Sequence, residues 1–252
     1  MNGREDMLKR IRQALGHDPS SNPPAATYPP TESKLEGVMP AIAAGDSLTR
    51  FEAEFGKVAG QSYRASTDLE LERILRTIID SSQSAEVVLT RNPLLGQIGL
   101  PEKLRAWGKS GIQWTAGPAG EPESASEKEF RACCFSAGVG VSGVDYVLAE
   151  TGSLVLTSQA EGCQLASLAP PIHVALYRQS QVISSLDEIL ERLPMATNLG
   201  ANAAGRSIVL ITGPSRTADI EQILIRGVHG PREVHAILVE ESCLTEIDAR
   251  QA

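Results

Sequence analysis

Aromatic residues make up only 4% of this 252-residue chain, too few for the stacking platforms on which single-stranded nucleic acid is held. Positive charge is short as well. The 23 Lys and Arg against 31 Asp and Glu leave a net charge of −8, the wrong sign for a phosphate-backbone partner. No apolar run approaches the length of a membrane span, and the opening segment MNGREDMLKR is charged throughout, without the apolar stretch of a secretory signal. The cysteines, Cys133, Cys134, Cys163 and Cys243, include no CxxC pair, so they fit neither a disulfide framework nor a zinc or iron–sulfur site. No two histidines stand at metal-ligand spacing. A cytoplasmic protein with reduced thiols is expected, with no nucleic acid partner, no membrane span and no metal.

What is present is an ordinary globular composition, 42% apolar and 21% charged, which argues against disorder and against a coiled coil. Residues 1–16 read as a helical arm, with Met7, Leu8, Ile11 and Leu15 on one face and Gly16 as its stop. Residues 17–44 are a Pro-rich linker, and residues 45–252 form the main domain. There the pattern alternates: helices at SLTRFEAEFGKV, DLELERILRTIID, PEKLRAWG, SEKEFRACCFSAG and SLDEILERL, and strands at AEVVLT, IQWT, DYVLAETGSLVLTS (two strands about a corner) and IHVALY. The expected fold is a three-layer α/β/α arrangement with a mixed, largely parallel sheet.

The densest signal lies at 208–239. An apolar run, Ile208 to Ile211, ends in Thr212-Gly213-Pro214, and the spacing predicts a helix beginning there, with Ser215 or Thr217 as N-cap and Asp219 and Glu221 in its first turn. Strand, polar turn and helix start place free N–H groups and a positive helix end beyond a strand. Gly213, Ser215, Arg216, Thr217 and Asp219 are therefore candidate ligand-binding residues, with Arg216 as a fork for a carboxylate or phosphate; the alternative is capping with a surface salt bridge. His229, in the turn before Gly230-Pro231, is a candidate proton carrier, or it bonds the backbone of its own turn.

Asp145 and Glu150 stand near the ends of a short strand. Glu150 precedes a small-residue corner, Thr151-Gly152-Ser153, where a carboxylate acts as nucleophile or base if burial tunes it, or simply accepts backbone N–H bonds. Glu150 and His229 are the candidate catalytic residues, and Thr151 and Gly152 join the candidate ligand set. The stretch GVGVSG, with Gly138, Gly140 and Gly143, matches the letters of a dinucleotide fingerprint but follows a helix rather than a strand. It reads as a helix-to-strand loop using glycine for sharp turns. His173 and His235 alternate with apolar neighbours and read as core or interface histidines.

Taken together, AETGSLVL at 149–156, SLAPPIHVAL at 167–176 and TGPSRTADIEQILIRGVHGPREVHAILVE at 212–240 resemble the lactate utilization protein C family of the LUD domain class. The resemblance implies a fold similar to the NagB/RpiA/CoA-transferase group and a part in oxidising L-lactate to pyruvate. It also implies partners, the A and B lactate utilization iron–sulfur proteins, which would carry the clusters. The residues agree with that division: lactate oxidation removes two electrons that a cofactor must receive, and no cofactor motif is evident in this chain. An accessory or substrate-binding subunit acting on a small anionic ligand of the lactate or pyruvate class is expected. The alternatives are an independent CoA-transferase or sugar-phosphate-isomerase type of enzyme and a lactate-sensing regulatory module. The resemblance also carries a basic residue just before Leu165, where this chain has Gln164.

Overall fold

The computed structural model describes residues 7, 9–10, 46–115, 125–192, 207–218, 224–227 and 229–244. The chain divides into two compact units, Met1–Ala41 and Ile42–Ala252. In the first, Met7, Lys9 and Arg10 are helical; the rest of the expected arm, and the linker, lie outside the described residues, as do Asp219 and Glu221.

The second unit is built on a parallel sheet. Its strands are β1 (Gln61–Ala65), β2 (Glu86–Leu89), β3 (Ser110–Gln113), β4 (Val139–Ser142), β7 (Ile172–Tyr177) and β12 (Glu233–Val239), in the order β1-β12-β7-β4-β2-β3, and every neighbouring pair is parallel. A second sheet, in the order β8-β5-β6-β9, contains β5 (Tyr146–Leu148), β6 (Ser153–Thr157), β8 (Val182–Ile183) and β9 (Ile208–Ile211). There β5 pairs parallel with β8, while β6 is antiparallel to both β5 and β9. The α/β class expected from the alternating pattern is what the chain adopts, with a wholly parallel six-stranded sheet and a smaller mixed one.

Strand alternation explains the layers. On β7, Ile172, Val174 and Leu176 face one core, while Ala175 and Tyr177 face another. The first core is closed by α2 (Asp68–Ser81), α3 (Pro93–Gln97) and α4 (Leu100–Ala106). Helix α2 buries Leu71, Leu75, Ile78 and Ile79, the i, i+4, i+7, i+8 stripe of an amphipathic helix, and leaves Leu69 outside that stripe and exposed. Its start is fixed by Thr67, whose Oγ1 accepts from Glu70 N at 3.2 Å, while the Glu70 carboxylate accepts from Ser66 N at 3.0 Å. On the other face α1 (Ser47–Lys57) inserts Phe51 and Phe55 between the two sheets, and α5 (Ala125–Ser136) packs Phe130 and Cys134 against Val88. Beyond the second sheet α7 (Leu186–Arg192) covers Leu148 and Val155 with Ile189. Each fully buried Leu or Ile is worth about 1.5–3 kcal/mol, against roughly 0–1 kcal/mol for a surface ion pair such as Arg50–Glu54. The apolar layers hold the fold.

Two sequence expectations are corrected here. GVGVSG is not a loop: Val139–Ser142 is β4, a wholly buried strand between β7 and β2. Gly140 is required by close approach, because a Cβ there would lie 1.8 Å from the Ala166 carbonyl oxygen. Nor does a helix start after Gly213-Pro214. Arg216–Ala218 is β10, paired antiparallel with β11 (Leu224–Arg226), with Thr217 opposite Ile225 in the register. A helix N-cap needs its carbonyl for the first helical turn, but the Ser215 carbonyl accepts from Gly227 N at 3.0 Å and Ser215 N donates to Pro231 O at 2.8 Å. The 227–231 turn has taken both groups.

The polar residues in this core are sharply placed. His173 Nε2 lies 2.8 Å from Ser142 Oγ, both fully buried, and burial pushes the imidazole down to about 3. An unfolded chain protonates the same ring near 6.5, so in acid the unfolded state binds the extra proton and stability is lost as pH falls below about 6.5.

Two outcomes follow from this packing. Gly140→Ala costs about 3 kcal/mol or more, read as a lower urea midpoint, because the obstacle is backbone rather than a movable side chain; an unchanged midpoint contradicts the β4 packing. Between pH 7 and pH 5, His173→Gln loses less stability than the unsubstituted protein, by about 2 kcal/mol. Identical pH slopes in urea unfolding would contradict a buried neutral imidazole.

Candidate functional site

In an open parallel sheet, ligands gather at the carboxyl ends of neighbouring strands whose following connections leave in opposite directions. Strands β2 and β4 are such a pair. The chain leaves β2 toward β3 through α3 and α4 on one face, and leaves β4 toward β7 through β5 and β6 on the other.

The loops at this divide are tied by one carboxylate. Glu161, the last residue of the short helix α6 (Ser158–Glu161), has no solvent exposure. Its Oε2 accepts from Thr90 Oγ1 at 2.5 Å and from Gly143 N at 3.1 Å, and its Oε1 accepts from Asn92 Nδ2 at 2.5 Å. Thr90 and Asn92 follow β2, and Gly143 follows β4. The Arg91 amide donates to the Glu161 carbonyl at 3.2 Å, and Asn92 Oδ1 accepts from Leu94 N at 3.0 Å, capping α3. Burial raises the Glu161 carboxyl above its ordinary range, opposed by the bonds from Thr90 and Asn92, while the nearby charge of Asp145 raises it further. A raised carboxyl is most favourable to folding in acid, and that contribution is lost as pH rises through the raised value.

Asp145 stands just beyond. Its Oδ2 accepts from Thr157 N at 2.7 Å and its Oδ1 from Thr157 Oγ1 at 3.1 Å. Desolvation raises this carboxyl too, against the bonds from Thr157. Asp145 and Thr157 line a crevice of about 670 Å³, with Arg91 and Arg192 also on its walls. Arg91 Nη2 donates to the Gln159 carbonyl at 2.6 Å, and Arg192 Nη2 to Glu188 Oε1 at 2.5 Å. Two guanidinium groups and a carboxylate can hold an oxyanion and accept a hydrogen bond from a neighbouring hydroxyl.

The residues singled out in the sequence collect at the opposite edge, around the C-terminal end of α1 where β1 begins. Gly152 has φ +65°, and a Cβ there would lie 2.3 Å from Phe55 N. Thr151 Oγ1, Ser153 Oγ and Thr212 Oγ1 form a hydroxyl chain with steps of 2.7 and 2.6 Å. Gly213 lies against Val58, and Arg216 Nη2 donates to the Val58 carbonyl at 2.6 Å, a cation at a helix C-terminus. Ser215 belongs to the backbone lock with the 227–231 turn, and Thr217 lies on β10. Glu150 Oε2 accepts from Leu186 N at 3.1 Å, at the start of α7. His229 is exposed in its bend. Thr151, Gly152, Gly213 and Arg216 are thus brought together, while Glu150 turns to α7, His229 belongs to the separate 227–231 turn and Asp219 lies outside the described residues. Gln164, in the position where the resemblance carries a basic residue, donates through Nε2 to the carbonyls of Leu156 and Ser207 at 3.0 and 3.2 Å, bridging β6 to the start of β9.

The carboxyl-edge groups Thr90, Arg91, Asn92, Thr157, Glu161 and Arg192 were not candidates on sequence. Three of them carry a sequence signal: Thr90-Arg91-Asn92 is a polar turn directly after the apolar run of β2, the same pattern as Thr212-Gly213-Pro214 after Ile208–Ile211. Among the described residues no group of three or more His, Cys, Asp and Glu could hold a metal ion, and no helix is long and apolar enough to cross a membrane.

Glu161→Gln places an amide nitrogen against one of two N–H donors, Gly143 N or Asn92 Nδ2. It is expected to cost about 1–3 kcal/mol in urea unfolding and to flatten the loss of stability as pH rises above about 4.5. A variant as stable as the unsubstituted protein, with the same pH profile, contradicts the buried tie.

Comparison with known proteins agrees with this architecture. The chain is 26% identical over 248 residues to a lactate utilization protein C of Exiguobacterium sp., covering 94% of this chain and 96% of that protein. It is 26% identical over 244 residues to the Bacillus subtilis protein of the same name, with the same coverage. An uncharacterized Escherichia coli protein, YkgG, is 32% identical over 155 residues, 62% of this chain and 63% of that one. The crystal structure of a DUF162 family protein from Deinococcus radiodurans superposes with a TM-score of 0.53 at 19% identity, covering 79% of this chain and 99% of that one, which supports the fold. The model of the LUD domain matches residues 48–239, most of the body built on the two sheets, and the chain therefore belongs to the LUD domain family.

Proposed function

We propose that this protein serves the utilization of L-lactate as a binding subunit without a redox centre of its own. It works with iron–sulfur partner proteins, of the A and B lactate utilization type, that receive the two electrons released when L-lactate becomes pyruvate. The observation that carries this reading is the alignment over 94% of the chain with proteins called lactate utilization protein C.

The chemistry of the chain is compatible with it. Burial raises the thiols of Cys133 and Cys243 and pushes that of Cys134 up to about 12, as in cysteines that pack rather than react. Cys134 packs with Phe130 and Ala137 in an apolar cluster, and Cys243 Sγ donates to the Ala65 carbonyl at 3.2 Å. These thiols serve packing. The polar groups at the β2–β4 divide suit recognition of a small anion, which is the task left to a subunit whose partners carry the electrons.

Deleting the gene in its host is expected to abolish growth on L-lactate as sole carbon source, with growth restored by a plasmid copy. Undiminished growth in a strain with no second copy contradicts the proposal.

A further inference from the structure

We infer that the crevice at the carboxyl ends of β2 and β4 is a binding site for a small 2-hydroxy acid, with the ligand carboxylate between Arg91 and Arg192 and its hydroxyl on Asp145. The choice of a hydroxy acid rests on the proposed role in lactate utilization; the location of the site rests on the fold and the side chains alone.

Each group is placed for its part. Arg91 follows β2 directly, and its Nη2 bond to the Gln159 carbonyl, 2.6 Å, with a longer one of 3.5 Å to Ser158 O, fixes the planar head at the crevice wall. Among the described residues both partners are dipoles rather than charges, so a ligand carboxylate meets a guanidinium that is held in position and can take a counter-charge. Arg192 approaches from the end of α7, steadied by Glu188 one turn earlier. Asp145 has each oxygen engaged once by Thr157, and a carboxylate retains further lone pairs after two such bonds. It accepts a hydrogen bond from the hydroxyl of a 2-hydroxy acid, a contact that a 2-oxo acid lacks. Glu161 does not repel the ligand strongly, because it is buried and meets three donors from the loops. The crevice, at about 670 Å³, falls within the usual range for small-molecule pockets and exceeds what a three-carbon acid fills, leaving room for ordered water.

The test is calorimetric titration of the full-length protein with L-lactate, pyruvate and inorganic phosphate, with folding of each variant checked by circular dichroism. L-lactate is expected to bind, to be preferred over pyruvate, and to be displaced poorly by phosphate. Arg91→Gln and Arg192→Gln should each weaken L-lactate binding by at least tenfold. Arg91→Lys, which keeps the charge and loses the fork, should weaken it less than Arg91→Gln, and Asp145→Asn should erase the preference for L-lactate over pyruvate. The inference is overturned if the folded protein binds no L-lactate, if both glutamine variants bind it with unchanged affinity, or if phosphate competes on equal terms. Growth separates this failure from that of the wider role. Loss of growth on deletion with no L-lactate binding removes the site and leaves the role; binding with undiminished growth does the reverse.

Discussion

A carboxylate withdrawn from water is costly unless donors replace its hydration, and Glu161 meets three of them from two loops that leave the sheet on opposite faces. That exchange sets the geometry of the β2–β4 divide. Thr90 and Asn92 are fixed by it directly; Arg91, between them, has its amide bonded to the Glu161 carbonyl and its guanidinium bonded to the carbonyl of Gln159 in the same short helix. Thr157 caps that helix, accepting from Ala160 N at 3.3 Å, while it donates to Asp145. Anion-binding and hydroxyl-accepting groups thus stand on one network whose centre is a side chain that no solute reaches.

The two edges of the parallel sheet divide the labour. At the amino edge, the corner at 151–153 and the turn at 212–216 close on the C-terminal end of α1, Ser215 bonds Gly227 and Pro231, and Arg232 N donates to the Pro171 carbonyl at 2.8 Å where β12 and β7 begin. These segments are rich in glycine, proline and small hydroxyl residues because chains cross closely there. At the carboxyl edge the side chains are larger, charged and arranged around open space. The first edge closes the second sheet onto the parallel one, and the second edge meets the ligand.

Much of the architecture was legible in the chain. The helical pattern of DLELERILRTIID identifies α2, and the apolar runs in AEVVLT and IHVALY identify two central strands. Strand β1, QSYRA, carries little local signal because it is an edge strand with little apolar content, and β4 because its Gly140 and Ser142 resemble turn chemistry. Glycine there answers to the Ala166 carbonyl lying over the strand, a tertiary contact without local signature. The helix expected after Pro214 fails for a similar reason, since the 227–231 turn claims Ser215 from outside the segment. The site was harder to read. Glu161 is one acidic residue among many until folding brings Thr90, Asn92 and Gly143 to it, from 71, 69 and 18 positions away.

On the proposed reading the carboxyl edge, and not the glycine-rich amino edge, takes the anionic ligand. A crystal structure of the protein grown with L-lactate decides between the two edges. The acid is expected between Arg91 and Arg192, its hydroxyl within hydrogen-bond distance of Asp145. Density instead against Thr151, Gly213 and Arg216, with the β2–β4 crevice holding only solvent, would contradict it.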